Sequence, residues 1–363
     1  DDKLAFYQQA RGAVSGYVYP SYQRMISLYE ALQEITPEGV GYWRLPDGEK
    51  AYEAYLQFFT TLDTTPSDVF AIGENEVARI QKQMLDILVK DFDIQQTTFS
   101  QSMNSFLSNE ALYFTDSQEG RRAVLDAMHA ENEKMRALLP QLFSYPDVPE
   151  LQFIRSPLLT EENDSLARYS NNSVLVNLSD MRVLPKSSLP VLSFHEGIPG
   201  HHYQTSVTNE LAGLPYIISQ TPFGSYTEGW AMYAEQLGYE LGLYETPEEV
   251  LSYLQYDLLR SARMVIDTGI HIKRWSREKA VAYLMTEAAL SQNEAEIEVD
   301  RAIVVPGSGP MYKMGQLKIL SLREQMEERL GEKFSLKHFH DRVLENGALP
   351  LPLLEDLLSE NAV

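Results

Sequence analysis

Three long runs of apolar residues at helical spacing constrain the fold more than any other feature of this sequence. VFAIGENEVARIQKQMLDILVK (69–90), GRRAVLDAMHAENEKMRALLPQLF (120–143) and EEVLSYLQYDLLRSARMVIDTG (248–269) each carry an apolar stripe of about 3.6-residue period. Such stripes must be buried against other elements, so the chain reads as mainly α. Start signals agree with them. Thr65-Pro66-Ser67-Asp68, Thr246-Pro247-Glu248-Glu249 and Ser276-Arg277-Glu278-Lys279 each place a hydroxyl before a first turn rich in acids or proline. Strand signals are few, the best being LQFI (151–154) and the β-branched SVLVNL (173–178), flanked by Asn171-Asn172 and Ser179-Asp180. The proline-rich stretch from Tyr145 to Thr160 marks a subdomain join, giving a helical subdomain over 1–145 and a second, over 146–363, that continues the same fold.

Composition limits what a site here can use. With no cysteine among 363 residues, a metal could be held only by His, Asp and Glu. A net charge of −22 repels phosphate backbones, and no Lys/Arg stripe interleaved with aromatics stands against it, so nucleic acid is excluded as a partner. The acidity reads as a solvated surface. No stretch approaches the ~18–20 apolar residues of a membrane span. The chain opens DDKLAF, without an apolar signal core, and is expected to be a mature product or a fragment.

The segment FHEGIPGHHYQ (194–204) concentrates the chemistry, with His195, His201 and His202 inside eight positions and Glu196 beside the first. A helical zinc site usually places two His at i and i+4 with a Glu after the first. The spacing here is i+6, which on a regular helix turns His195 and His201 about 120° apart, while His202 at i+7 lies about 10 Å further along. Pro199 lacks an N–H and crowds the carbonyl of His195, and Gly200 tolerates unusual dihedrals. A bulge over Gly197–Gly200 that absorbs two residues would return His195 and His201 to neighbouring turns of one face, leaving Glu196 next to the metal. The third ligand is expected on a following helix, where YTEGWAMYAEQLGYELG (226–242) supplies Glu228, with Glu235 one face along as a ligand or as a partner behind one.

HEGIPGHHYQ, TEGWAMYAEQLG, RMVIDTGIHIKRWSREKA and PGSGPMYKMGQLKILSLRE, with GYWRLPDGEKAYEAYL and TTPSDVFAIGENEVARIQ upstream, together resemble the bacterial domain-of-unknown-function 885 (DUF885) family, whose members are often described as lipoproteins. The resemblance covers most of the chain. It implies a place in the gluzincin clan of zinc peptidases: a helical shell around a deep cleft with a small sheet, two His and one Glu as ligands, and a catalytic Glu. By it, Gly200-His201 matches the clan's second ligand, favouring His201 over His202, and Tyr312 after the PGSGP loop matches the tyrosine that clan relatives use to stabilise an oxyanion. It also implies an exported protein, periplasmic or anchored to the outer membrane by a lipid on the precursor, with an amino-terminal part missing here. The two-residue insertion between the histidines departs from the clan.

Three further expectations complete the reading. His271, after a glycine expected to end its helix, projects into the cleft as a catalytic group. Arg263 and Lys313, with His202, contact substrate. The SVLVNL strand is an edge on which an extended peptide can pair. The expected activity is zinc-dependent hydrolysis of a peptide, with zinc on His195, His201 and Glu228, Glu196 as base, and Tyr312 or His271 at the oxyanion. The rivals are a catalytically silent binding scaffold and a metal hydrolase of a non-peptide amide.

Overall fold

The computed structural model describes residues 2–360 apart from 37, 146, 162, 163, 212, 221 and 222, and leaves out the side chains of 219, 220 and 360. The chain divides into two compact units, one up to Val40 and one from Gly41 onward. In the first, α1 (Asp2–Ala13) and α2 (Tyr19–Ile35) are joined by a π-helical turn at Val14–Val18. Neither buries a residue, and Phe6, Tyr7, Tyr17, Tyr22 and Tyr29 are exposed.

The second unit is mainly α with one small sheet. It opens with α3 (Gly48–Thr60), α4 (Pro66–Phe92), α5 (Phe99–Leu107), α6 (Gln118–Arg136) and the single turn α7 (Leu139–Leu142). The strands β1 (Gln152–Arg155), β2 (Ala167–Ser170) and β3 (Ser173–Val176) follow. Then come α8 (Leu189–Glu196), α9 (His201–Glu210), α10 (Tyr216–Gln220), α11 (Gly224–Glu240) and α12 (Pro247–His271). The chain continues through α13 (Arg277–Glu287), α14 (Gln292–Val304), α15 (Ser308–Leu330), α16 (Leu336–Leu344) and α17 (Leu351–Glu360). Among the described residues no helix is long and apolar enough to cross a membrane.

The expected caps form. Thr65 Oγ1 accepts from the Asp68 amide, Ser276 Oγ from that of Lys279, and Thr246 with Glu249 closes a reciprocal capping box at the start of α12. Two of the expected runs become α4 and α12, which pack against each other, while the third stops at Arg136 and resumes as α7.

The sheet has the order β1-β3-β2, with β1 parallel and β2 antiparallel to β3. This corrects the expectation for SVLVNL, because β3 is the central strand and β2 takes the edge. β2 and β3 form a hairpin whose two turn residues, Asn171 and Asn172, have φ of 49° and 58°. Asparagine tolerates that left-handed region, and a turn of this hand matches the strand twist. Val124 and Met128 of α6, Phe153 of β1, Val174 and Val176 of β3, and Leu192 of α8 share one core, which seats α8 against the sheet. A second core joins Tyr52 and Leu56 of α3, Val69 of α4, Met264 of α12 and Met314 of α15.

α11 and α15 touch backbone to backbone. A Cβ on Gly229 would lie 2.5 Å from the carbonyl carbon of Gly315, and one on Gly315 would lie 2.0 Å from the Ser225 oxygen. Neither position has room for a side chain.

Candidate metal centre

FHEGIPGHHYQ folds as two helices with a break between them, where a bulge within one helix was expected. α8 ends at Glu196 and α9 begins at His201, with a cis Ile198–Pro199 peptide bond in the intervening segment. The break is tied down from three sides. The Gly200 amide donates to the Phe194 carbonyl, six residues back, at 3.0 Å. The Ile198 amide donates to Asn132 Oδ1 of α6 at 3.0 Å, and Trp230 Nε1 of α11 donates to the Pro199 carbonyl at 2.8 Å. Only glycine fits at 200, since a Cβ there would meet the His195 oxygen at 1.9 Å. Two residues too many for a helical turn are thereby looped out, and the His195 and His201 rings meet edge to face with centroids 4.8 Å apart.

α11 brings Glu228 to this pair. Its Oε2 lies 3.4 Å from Nε2 of His195 and 3.4 Å from Nε2 of His201, is shut off from solvent, and accepts no hydrogen bond. One donor atom from each of His195, His201 and Glu228 lies within 4.8 Å of the others. In a tetrahedral zinc site with ~2.0–2.1 Å bonds to nitrogen and oxygen, neighbouring donors stand about 3.3–3.4 Å apart. The two Glu228 edges have that length, so the residues fit a His2Glu zinc site.

Behind His195, Nδ1 stands 2.6 Å from Glu235 Oε1, which is 1% exposed, and Arg260 Nη2 lies 3.8 Å from the same carboxylate. A carboxylate there holds the proton on Nδ1 and leaves the Nε2 lone pair facing Glu228. Burial alone would lower the His195 pKa, but the facing carboxylates of Glu228 and Glu235 overcome it and push the ring up to about 10. The Glu228 carboxyl is held well below its usual range: burial opposes this, and the charges of His201 and His195 win. Without metal the His195 ring is therefore protonated, and a cation must displace that proton to bind.

Glu196 stands outside the trio. Its Oε2 accepts from the backbone amide of Tyr169 on β2 at 2.7 Å, so a carboxylate next to the first histidine is tied to the edge strand.

Tyr312 lies in the second turn of α15, and Gly307, with φ of 80°, caps that helix. Asp267 of α12 organises its start, accepting from the Gly307 amide at 2.9 Å, the Gly309 amide at 3.3 Å and the Tyr52 hydroxyl at 2.7 Å. Burial, then the charge of Glu228, raises the Tyr312 pKa, so its phenol keeps a proton to donate.

Four expected substrate or catalytic residues are placed otherwise. His271 is fully buried, its Nε2 paired with the Ala302 carbonyl at 2.9 Å, its Nδ1 accepting from the Tyr42 amide at 3.2 Å, and its ring stacked on Tyr52. The helix runs through Gly269 rather than ending there, because that glycine makes room for Trp275. His202 is also fully buried, its Nε2 against the Pro149 carbonyl at 2.9 Å, one residue out of phase with the metal face. Lys313 is 2% exposed and paired with Asp257 at 2.6 Å and Glu76 at 3.0 Å, pinning α15 to α12 and α4. The Arg263 guanidinium spends its fork on Glu298 through two 2.7 Å bonds and lies over the Tyr312 ring at 5.2 Å. It positions the tyrosine and is not free to hold a ligand.

Sequence reasoning missed the Tyr169 amide, Asn132, Trp230 and Asp267. Only Asp267 had left a signal, as an acid within the apolar run RMVIDTG of α12.

No curated protein matches the chain. The crystal structure of a "putative lipoprotein" from Colwellia psychrerythraea superposes with a TM-score of 0.94 at 34% identity, covering 98% of this chain and 62% of that one. A "putative lipoprotein of unknown function" from Shewanella oneidensis shares the fold, with a TM-score of 0.77 at 22% identity over 99% of this chain and 67% of that one. The chain thus spans less than two thirds of the length of the Colwellia protein. With the family match running over residues 1–358, the chain belongs to the bacterial proteins of unknown function grouped as DUF885.

Proposed function

We propose that this chain is a zinc-dependent peptidase of gluzincin type. The observation that carries the reading is the buried, hydrogen-bond-free Oε2 of Glu228, 3.4 Å from each of two imidazole nitrogens. A divalent ion held by His195, His201 and Glu228 would supply Lewis acidity and lower the pKa of a water. Glu196, beside His195 and held by the Tyr169 amide, takes the proton of the attacking water and returns it to the leaving amine. Tyr312, protonated at neutral pH and braced by Arg263, donates its O–H to the oxyanion as the carbonyl becomes tetrahedral.

β2 supports a peptide as the substrate. It is an edge strand, and its Tyr169 amide points away from β3 toward Glu196. An extended peptide added to that edge would run past the putting-together of base and ligands through backbone hydrogen bonds alone. By likeness to the two "putative lipoprotein" structures, the natural precursor is proposed to be an exported lipoprotein facing the periplasm or the outer membrane.

The test is metal content and peptide cleavage on one preparation. About one zinc per chain, with turnover of a peptide library that a chelator abolishes and zinc restores, is expected. Absence of zinc uptake would overturn the reading; uptake without turnover would leave a silent metal-binding scaffold.

A further inference from the structure

We propose that Arg301 recognises a carboxylate on the substrate, held beside the scissile bond. The inference rests on the peptidase reading and gives it a substrate class: peptides with a free C-terminal carboxylate or an acidic side chain within a residue or two of the cleaved bond.

The chain carries a net charge of −22, yet the charges of three arginines reach Tyr312. Two of them are committed. Arg263 is bound twice to Glu298. Arg260 is buried, donates to the Tyr256 carbonyl, lies over the Tyr256 ring and faces Glu235 at 3.8 Å. Arg301, one turn beyond Glu298 on α14, is exposed, and among the described residues its side chain has no hydrogen bond or ion pair within 4 Å.

Arg301 lines a recess together with Arg263, Glu298, Ser308 and Tyr312. The acids at this recess are already answered. Glu298 has Arg263, and Asp267 beneath it accepts from Tyr52, Gly307 and Gly309. That leaves one guanidinium with no ion pair among the described residues, whose planar fork matches a carboxylate in two parallel bonds. Tyr312 links the recess to the metal centre, because α15, which carries it, crosses α11, which carries Glu228, backbone to backbone at Gly315 and Gly229. A peptide advances about 3.3 Å per extended residue, so an anion at Arg301 belongs to a residue close to the bond presented to Tyr312.

The experiment uses the zinc-loaded chain and matched peptides of one cleavable sequence. One pair differs only in a free or amidated C-terminus; the other pairs, all amidated, carry Glu or Gln at each position flanking the bond. Cleavage rates and equilibrium binding by calorimetry are both measured, for the parent and for Arg301→Gln and Arg301→Lys. Carboxylate peptides are expected to be preferred by about 10- to 100-fold, mostly through KM. Arg301→Gln should erase that preference and Arg301→Lys should restore part of it, with melting temperature and zinc content unchanged. Whichever pair shows the preference identifies the source of the carboxylate. Equal cleavage of all members, or an undiminished preference in Arg301→Gln, would overturn the inference while the peptidase reading stands. If nothing is cleaved, binding decides: an Arg301-dependent preference upholds the anion site without the peptidase, and binding indifferent to the carboxylate overturns it.

Discussion

Glu235 Oε1 lies 2.6 Å from Nδ1 of His195, on the ring nitrogen opposite the one that faces Glu228. The proposed ligand histidine is thus oriented from behind by a carboxylate on the helix that also carries Glu228, the proposed glutamate ligand, seven residues earlier.

Glu235→Gln should weaken zinc binding by about 10- to 100-fold, because an amide presents a weaker acceptor and no longer raises the basicity of the ring. Competition against a chromophoric chelator reads the affinity, and a near-parental melting temperature would show that the fold is kept. Unchanged affinity would remove Glu235 from the centre.

The two adjacent histidines should separate cleanly. His201→Ala is expected to abolish stoichiometric zinc. His202→Ala should keep the metal and instead lower stability by about 1–3 kcal/mol, since a fully buried ring and its bond to the Pro149 carbonyl are lost. Elemental analysis and denaturant melts of both variants check the pair.

Glu196→Gln preserves volume but cannot take a proton from water. Zinc content should stay at the parental level while peptide turnover falls by about 10²- to 10⁴-fold. A zinc-loaded variant with parental turnover would exclude Glu196 as the base.

Stability should fall in mild acid because of His340. It is fully buried, paired with the Leu142 carbonyl through Nδ1 and with the Tyr233 hydroxyl through Nε2, and burial lowers its pKa from 6.5 to about 4. Above pH 6.5 the ring is neutral in both folded and unfolded chains and this contribution is fully present. Between pH 6.5 and 4 the unfolded chain takes up a proton that the folded one refuses, so stability drops by up to about 3 kcal/mol. Urea melts at stepped pH on chelator-treated protein should show this slope, and His340→Gln should flatten it.

What could be read along the chain was what lies close along the chain. The His195, His201 and Glu228 cluster falls within 195–228, and the caps at Thr65, Thr246 and Ser276 each act within three residues. His271 and Lys313 were misassigned because their partners are remote: Tyr42 is 229 residues from His271, and Glu76 lies on α4, far upstream of Lys313. A histidine beside a cleft and one sealed in an aromatic core look alike until those partners are known. β2 escaped notice for a related reason. ARYS is short and polar, and it becomes a strand by pairing with β3 across two left-handed asparagines.

The Gly229–Gly315 crossing gives the centre its ruler. Glu228 is the residue before one glycine, and Tyr312 lies three before the other. At the crossing itself backbone lies against backbone, with no room for a side chain that could compress or swap rotamers, so the reach from Glu228 to the Tyr312 phenol is a rigid dimension of the scaffold. A single methyl at either glycine would act as a spacer, altering that reach while every chemically active group remained in place.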